Sequence, residues 1–181
     1  MASAFGTTRL SPQQDPTPSA PDAHDVGLLV LRVCLGVVMA AHGAQKLFGW
    51  FGGGGLEGTE MFFESVGYPM AGAMALLTAV IETFGGLALI VGLLTPLAAA
   101  AAFGTMLNAI SVKWGGGFFL PEGLEYEITL AALAAGIALT GPGRLAIDRG
   151  LPVLRDHRLS HGAAAVALGA VVAGLVLLIR N

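Results

Sequence analysis

Residues 27–55 read GLLVLRVCLGVVMAAHGAQKLFGWFGGGG. A membrane-spanning helix needs about 20 mostly apolar residues, and this stretch supplies them. It nevertheless carries Arg32, His42, Gln45 and Lys46. Ionisable groups at hydrocarbon depth cost roughly 2.5–3.5 kcal/mol each on insertion scales, which marks them as functional by default. The span then runs into Trp50, Phe51 and four successive glycines. An inert anchor has no use for any of these features.

The rest of the chain fits a membrane. Of 181 residues, 55% are hydrophobic and 12% charged, with a mean hydropathy of +0.76. Soluble domains carry about 25% charged residues. Five apolar segments qualify as helical spans: 27–48, 70–92, 96–113, 126–142 and 161–179. Gly92-Leu93-Leu94-Thr95-Pro96 reads as a tight turn that makes the second and third spans antiparallel neighbours. Pro96 suits the first turn of a helix, where its missing N–H costs nothing. Residues 1–26 are rich in Pro, Ser, Gln and Asp and read as a disordered tail. Without a basic leader, and with Arg32 inside the apolar run, the N-terminus does not read as a cleaved signal peptide. The expected organisation is a tail (1–26), a four-helix transmembrane domain (27–150), a basic loop (151–160) and an extra transmembrane helix (161–181). The fold class is all-α, an integral membrane four-helix bundle plus a fifth C-terminal helix.

Orientation follows the distribution of Lys and Arg. Arg9, Arg144, Arg149, Arg155 and Arg158 fall on one side, expected to be cytoplasmic with the N-terminus. Lys46, Lys113 and Arg180 fall on the other, with the C-terminus outside. Loops 49–69 and 114–125 then face outward with five glutamates and no Lys or Arg. Lys46…Trp50-Phe51-Gly52-Gly53-Gly54 is echoed by Lys113-Trp114-Gly115-Gly116-Gly117-Phe118-Phe119, either as an internal duplication or as convergent anchoring at the interface.

At about 100° per residue, Arg32, Leu35, Met39, His42 and Lys46 fall within an arc of roughly 80°, whereas Gln45 points elsewhere. This stripe should face the bundle interior. The second span offers Thr78, Glu82 and Gly85 or Gly86, and either Arg32 or His42 could meet Glu82. The third offers Gly104, Asn108 and Ser111. His42, Lys46, Asn108, Lys113 and Glu125 lie toward the outer boundary, beneath the glycine-rich loops. An outer-leaflet pocket lined by Trp50 and Trp114 is the expectation. On this reading His42, Glu82 and Arg32 carry the chemistry, while Lys46, Trp50, Asn108, Trp114 and Glu125 contact a ligand. Each feature also has a plainer use: a structural ion pair for Arg32, snorkelling for the lysines, and belt anchoring for the tryptophans.

Some chemistry is excluded by sequence. Cys34 is the only cysteine, so no internal disulfide or CxxC pair exists. His42 is the only histidine well inside a span, His161 standing at the very first position of the last one, which leaves no two deep intramembrane histidines for a haem. No zinc spacing, Walker loop or nucleotide-binding glycine motif is present. A net charge of −3 gives no basic footprint for nucleic acid.

The motifs together resemble the DoxX family of small bacterial membrane proteins. The resemblance rests on Arg32, Gly36, His42-Gly43 and Gln45-Lys46-Leu47-Phe48-Gly49, followed by a glycine-rich loop. It continues through Glu82-Thr83-Phe84-Gly85-Gly86, Gly92-Leu93-Leu94-Thr95 and Gly123-Leu124-Glu125-Tyr126. It ends with Thr140-Gly141-Pro142-Gly143-Arg144-Leu145-Ala146-Ile147-Asp148. The match covers about residues 26–150, so the fifth span and the long tail are departures. The resemblance implies a multi-pass protein of the bacterial inner membrane. It also implies similarity to the DoxD-type subunit of thiosulfate:quinone oxidoreductase, and partners among soluble redox or sulfur-transfer enzymes. Quinone is the expected cofactor, with nothing bound covalently, and a homo-oligomer is compatible. The leading functional expectation is therefore a redox-associated, quinone-interacting subunit of a membrane oxidoreductase system in sulfur or oxidative-stress metabolism. A non-catalytic anchor for soluble redox enzymes is the alternative, and a small solute transporter is the third reading.

Overall fold

The computed structural model describes residues 22–119, 121, 123–152, 154 and 156–180, and among them it is entirely helical. Six α-helices follow in order: α1 (Ala23–Phe48), α2 (Gly55–Ser65), α3 (Ala71–Val91), α4 (Thr95–Val112), α5 (Glu125–Thr140) and α6 (Leu159–Leu178). All but α2 correspond to the expected spans. Four of them, α1, α3, α4 and α6, are long and apolar enough to cross a membrane. With 16 residues, α5 rises about 24 Å, short of a hydrocarbon core of about 30 Å.

Helix α1 begins four residues before the expected boundary. Asp22 accepts from the Asp25 amide at 3.0 Å, and Asp25 accepts from the Asp22 amide at 3.4 Å, which forms a reciprocal cap. The expected tail therefore loses its last residues to the helix, while residues 1–21 lie outside the described residues. Arg9, Glu122 and Arg155 lie outside them too. At the other end Gly49 takes φ 72°, a left-handed C-cap suited to glycine.

Helix α2 replaces part of the expected glycine-rich loop 49–69. Its 11 residues carry three glutamates and begin at the last of the four glycines, so they give no span-length apolar signal. The helix packs on α1 and α3, with Phe62 beside Phe63 and Phe63 beside Tyr68.

Small residues set the helix contacts. A Cβ on Gly36 would lie 2.6 Å from the Gly86 carbonyl oxygen, and a Cβ on Gly86 would lie 2.6 Å from that of Gly36. Helices α1 and α3 therefore touch backbone to backbone, as small residues permit in membranes. Gly104 of α4 and Gly169 of α6 allow the same approach. The core between α1, α3, α4 and α5 is built from Leu35, Met39, Leu89, Met106, Ile137 and many alanines.

Candidate functional site

The α1–α3 contact fixes a register. Gly36 faces Gly86, and Gly43 faces the backbone of Thr83. Arg32 then lies level with Gly92, and Glu82 lies level with the last turn of α1. This register corrects one expectation, because Arg32 does not meet Glu82. Arg32 is 2% exposed, and its guanidinium donates to the carbonyls of Pro142 and Leu145, both at 2.6 Å. Glu82 pairs instead with Lys46 at 2.5 Å.

Arg32 belongs to a knot of main-chain contacts. Gly92 packs against its guanidinium, where a Cβ would lie 2.5 Å from Nη1, and its φ of 75° is left-handed. The carboxylate of Asp148 accepts from the amides of Leu94 (2.7 Å) and Thr95 (2.8 Å). Leu94 has φ 49°, a strained conformation for a side-chain-bearing residue, and Asp148 holds it there. Asp25 accepts from the Arg144 amide at 2.8 Å. Segment 142–148 is thereby tied to α1 and to the α3–α4 turn.

A cavity of about 450 Å³ runs along α4, between α3, α4, α5 and α6, with His42 and Lys46 entering from α1. This volume is within the range of small-molecule sites. Its lining on α4 runs from Leu97 to Lys113, a rise of about 24 Å. Along the Leu97 half the walls are Ala100, Ala101, Gly104, Leu168 and Gly169. The polar groups gather toward Lys113. His42 Nε2 and the Tyr126 hydroxyl are 2.9 Å apart. Lys113 Nζ meets Glu127 Oε1 at 2.6 Å. The Tyr68 hydroxyl donates to Asn108 Oδ1 at 3.2 Å, and Asn108 donates to the Gly104 carbonyl at 3.1 Å. Each lysine thus pairs with a glutamate on the next long helix, and the His42–Tyr126 contact bridges α1 to α5 between the two pairs. The result is a long slot with hydrogen-bonding groups at one end and hydrocarbon at the other.

The DoxX family profile matches residues 27–114. "Putative oxidoreductase CatD" of Bacillus subtilis (strain 168) is 34% identical over 125 residues, covering 68% of this chain and 86% of that protein. The chain belongs to the DoxX family. "Inner membrane protein YqjF" of Escherichia coli (strain K12) is 31% identical over 131 residues, covering 69% of this chain and 92% of that protein. "Inner membrane protein YphA" of the same strain is 27% identical over 134 residues, with 70% and 91% covered. No solved structure gives a significant match. Its apolar helices and this kinship make the chain a multi-pass membrane protein.

Within this DoxX protein the structure brings together His42, Lys46, Glu82 and Asn108 from the sequence-derived set. Four of that set lie elsewhere, Arg32 in the main-chain knot already described. Trp50 follows the left-handed cap at Gly49, stacks 5.0 Å from Phe48 and is 58% exposed. Trp114 lies just past the end of α4 and is 77% exposed. Both tryptophans turn away from the cavity, and Phe62, Phe63 and Tyr68 cover that end of it. Glu125 is half-buried in the first turn of α5 but does not line the cavity. Glu127 does, because the buried face of α5 runs through 127, 130, 131, 134, 137 and 138. The helical period of the small and apolar residues after Glu127 is the sequence signal that places it on this face. Tyr126 stands in the sequence only as part of the Gly123-Leu124-Glu125-Tyr126 motif, and Tyr68 carries no sequence signal.

Proposed function

We propose that this DoxX protein is a quinone-binding subunit of an oxidoreductase system in the bacterial inner membrane. The observation that carries this reading is the asymmetry of the cavity. A quinone needs an apolar slot for its tail, hydrogen-bonding groups at its head and a route for protons. The slot along α4 fits the tail. Lys46 and the His42–Tyr126 pair supply head-group donors, and Glu82 beside Lys46 is placed to pass a proton. Electrons come from or go to a soluble redox partner, with sulfur compounds the first donors to try. The name of the Bacillus relative agrees with a redox role. With the N-terminus cytoplasmic, as the arginines suggest, the polar end lies toward the outer leaflet. An anchor role alone leaves the cavity without a use.

The test is titration of the purified protein in nanodiscs with decylubiquinone and a short-chain menaquinone, followed by intrinsic fluorescence. Saturable binding, weakened about tenfold in His42→Ala, is the expected result. Absence of binding by either quinone, or identical binding in His42→Ala, would overturn the reading.

A further inference from the structure

Glu127 has one oxygen too many for its surroundings. Its side chain is only 7% exposed and lines the cavity. Oε1 meets Lys113, but Oε2 is buried with no hydrogen-bond partner. A buried acceptor left unpaired loses the full cost of its desolvation, so native structures rarely leave one. Neighbouring polar groups on the cavity wall are engaged elsewhere: the Tyr126 hydroxyl shares a hydrogen bond with His42 Nε2, that of Tyr68 donates to Asn108, and Lys46 donates to Glu82. A carboxylate paired with a lysine accepts hydrogen bonds and cannot donate them. The missing partner is therefore an O–H or N–H group, and the cavity that Glu127 lines is where such a group can enter.

We propose that Glu127 Oε2 receives the hydroxyl of a cavity ligand, so that the site prefers hydroxyl-bearing amphiphiles to equivalents that only accept. This rests on the cavity being a ligand site, as proposed above, and adds a direction. Of a quinone couple, the hydroquinone offers an O–H to Glu127, while the quinone presents a carbonyl lone pair to a carboxylate. The reduced form should bind tighter. A tenfold preference would raise the two-electron midpoint potential of the bound couple by about 30 mV relative to the free couple.

The experiment compares 4-heptylphenol with its methyl ether, and anaerobic decylubiquinol with decylubiquinone, on wild type and Glu127→Gln in nanodiscs. Wild type should bind the phenol and the quinol about tenfold or more tighter than their partners, the gain of one hydrogen bond to a charged group. Glu127→Gln should bring both ratios near one while leaving the ether and the quinone bound. An infrared difference spectrum of wild type needs no variant, and the carboxylate stretch should shift with the phenol but not with the ether. Equal binding of phenol and ether, ratios unchanged in the variant, or no carboxylate shift would overturn the proposal and leave a water molecule as the partner of Oε2. If the phenol binds through Glu127 but neither quinone form does, the quinone reading fails and this one stands. If none of the four probes binds, both fail.

Discussion

The two ends of the bundle both bury charge and use it in opposite ways. At the Arg32 end the charges mainly address main chain: Arg32 two carbonyls, Asp148 two amides and Asp25 the Arg144 amide, with one longer side-chain pair between Asp25 and Arg144 at 3.8 Å. At the Lys46 end they address one another, in the pairs Lys46–Glu82 and Lys113–Glu127, around a cavity. A charge bonded to backbone fixes the path of the chain. A charge paired with another side chain beside open space can trade that contact for a ligand. Burial alone does not separate the two cases. Arg32 and Glu82 are almost equally buried, at 2% and 3% exposed, yet one closes a turn and the other lines a slot.

The largest effect should come from breaking the Arg32 end. Arg32→Leu removes two charge-assisted bonds, each worth about 1.5–3 kcal/mol, and strands the buried Pro142 carbonyl. Loss of about 3 kcal/mol or more is expected, seen as poor yield and a lowered unfolding midpoint in detergent. A stable Arg32→Leu protein that had lost only its quinone binding would erase the distinction between the two ends. Next in size is Gly86→Leu, which forces α1 and α3 apart where Gly36 and Gly86 touch. Overpacking of this kind costs about 1–3 kcal/mol. Because the same contact sets Lys46 against Glu82, quinone affinity should fall along with the midpoint.

This difference between the ends explains what could be read from sequence. The helices were legible because a run of about 20 apolar residues has few other uses, and the α1 stripe was legible because helical period needs no partner. What Arg32 touches was not legible. Its acceptors lie more than a hundred residues away and are carbonyls, which every residue carries. Register was hidden for the same reason: whether Glu82 met Arg32, His42 or Lys46 turned on which glycine of α3 lay against which glycine of α1. The tryptophans were misplaced because the path of a chain after a glycine cap depends on the turn rather than on residue type. Glu127 could have been found by extending to α5 the period count applied to α1.

Breaking the other end should separate binding from stability. Glu82→Gln keeps the volume and removes the charge that faces Lys46. The Lys46 side chain is 24% exposed, so its ammonium can turn toward water instead of remaining buried and unpaired. The stability loss should therefore fall below the 3–5 kcal/mol seen when one partner of a fully buried pair is removed. Quinone affinity should fall about tenfold, measured by the same fluorescence titration. A midpoint as low as that of Arg32→Leu would mean that both ends are structural.

The smallest effect is the sharpest check on where the site lies. Trp114 stands beside Lys113 in sequence, and its residue type suits stacking on a quinone ring. Yet at 77% exposed it points away from the cavity, at a depth where tryptophan anchors a helix to the membrane interface. Trp114→Ala should change stability by no more than about 0.5 kcal/mol, as exposed substitutions usually do, and should leave quinone affinity unchanged. If it weakens binding as much as Glu82→Gln, the loop after α4 must fold over the slot when ligand enters, and the site would extend beyond the helices that line it. If only insertion depth changes, read by quenching of Trp50 with brominated lipid, the tryptophans belong to the membrane and the slot to the ligand.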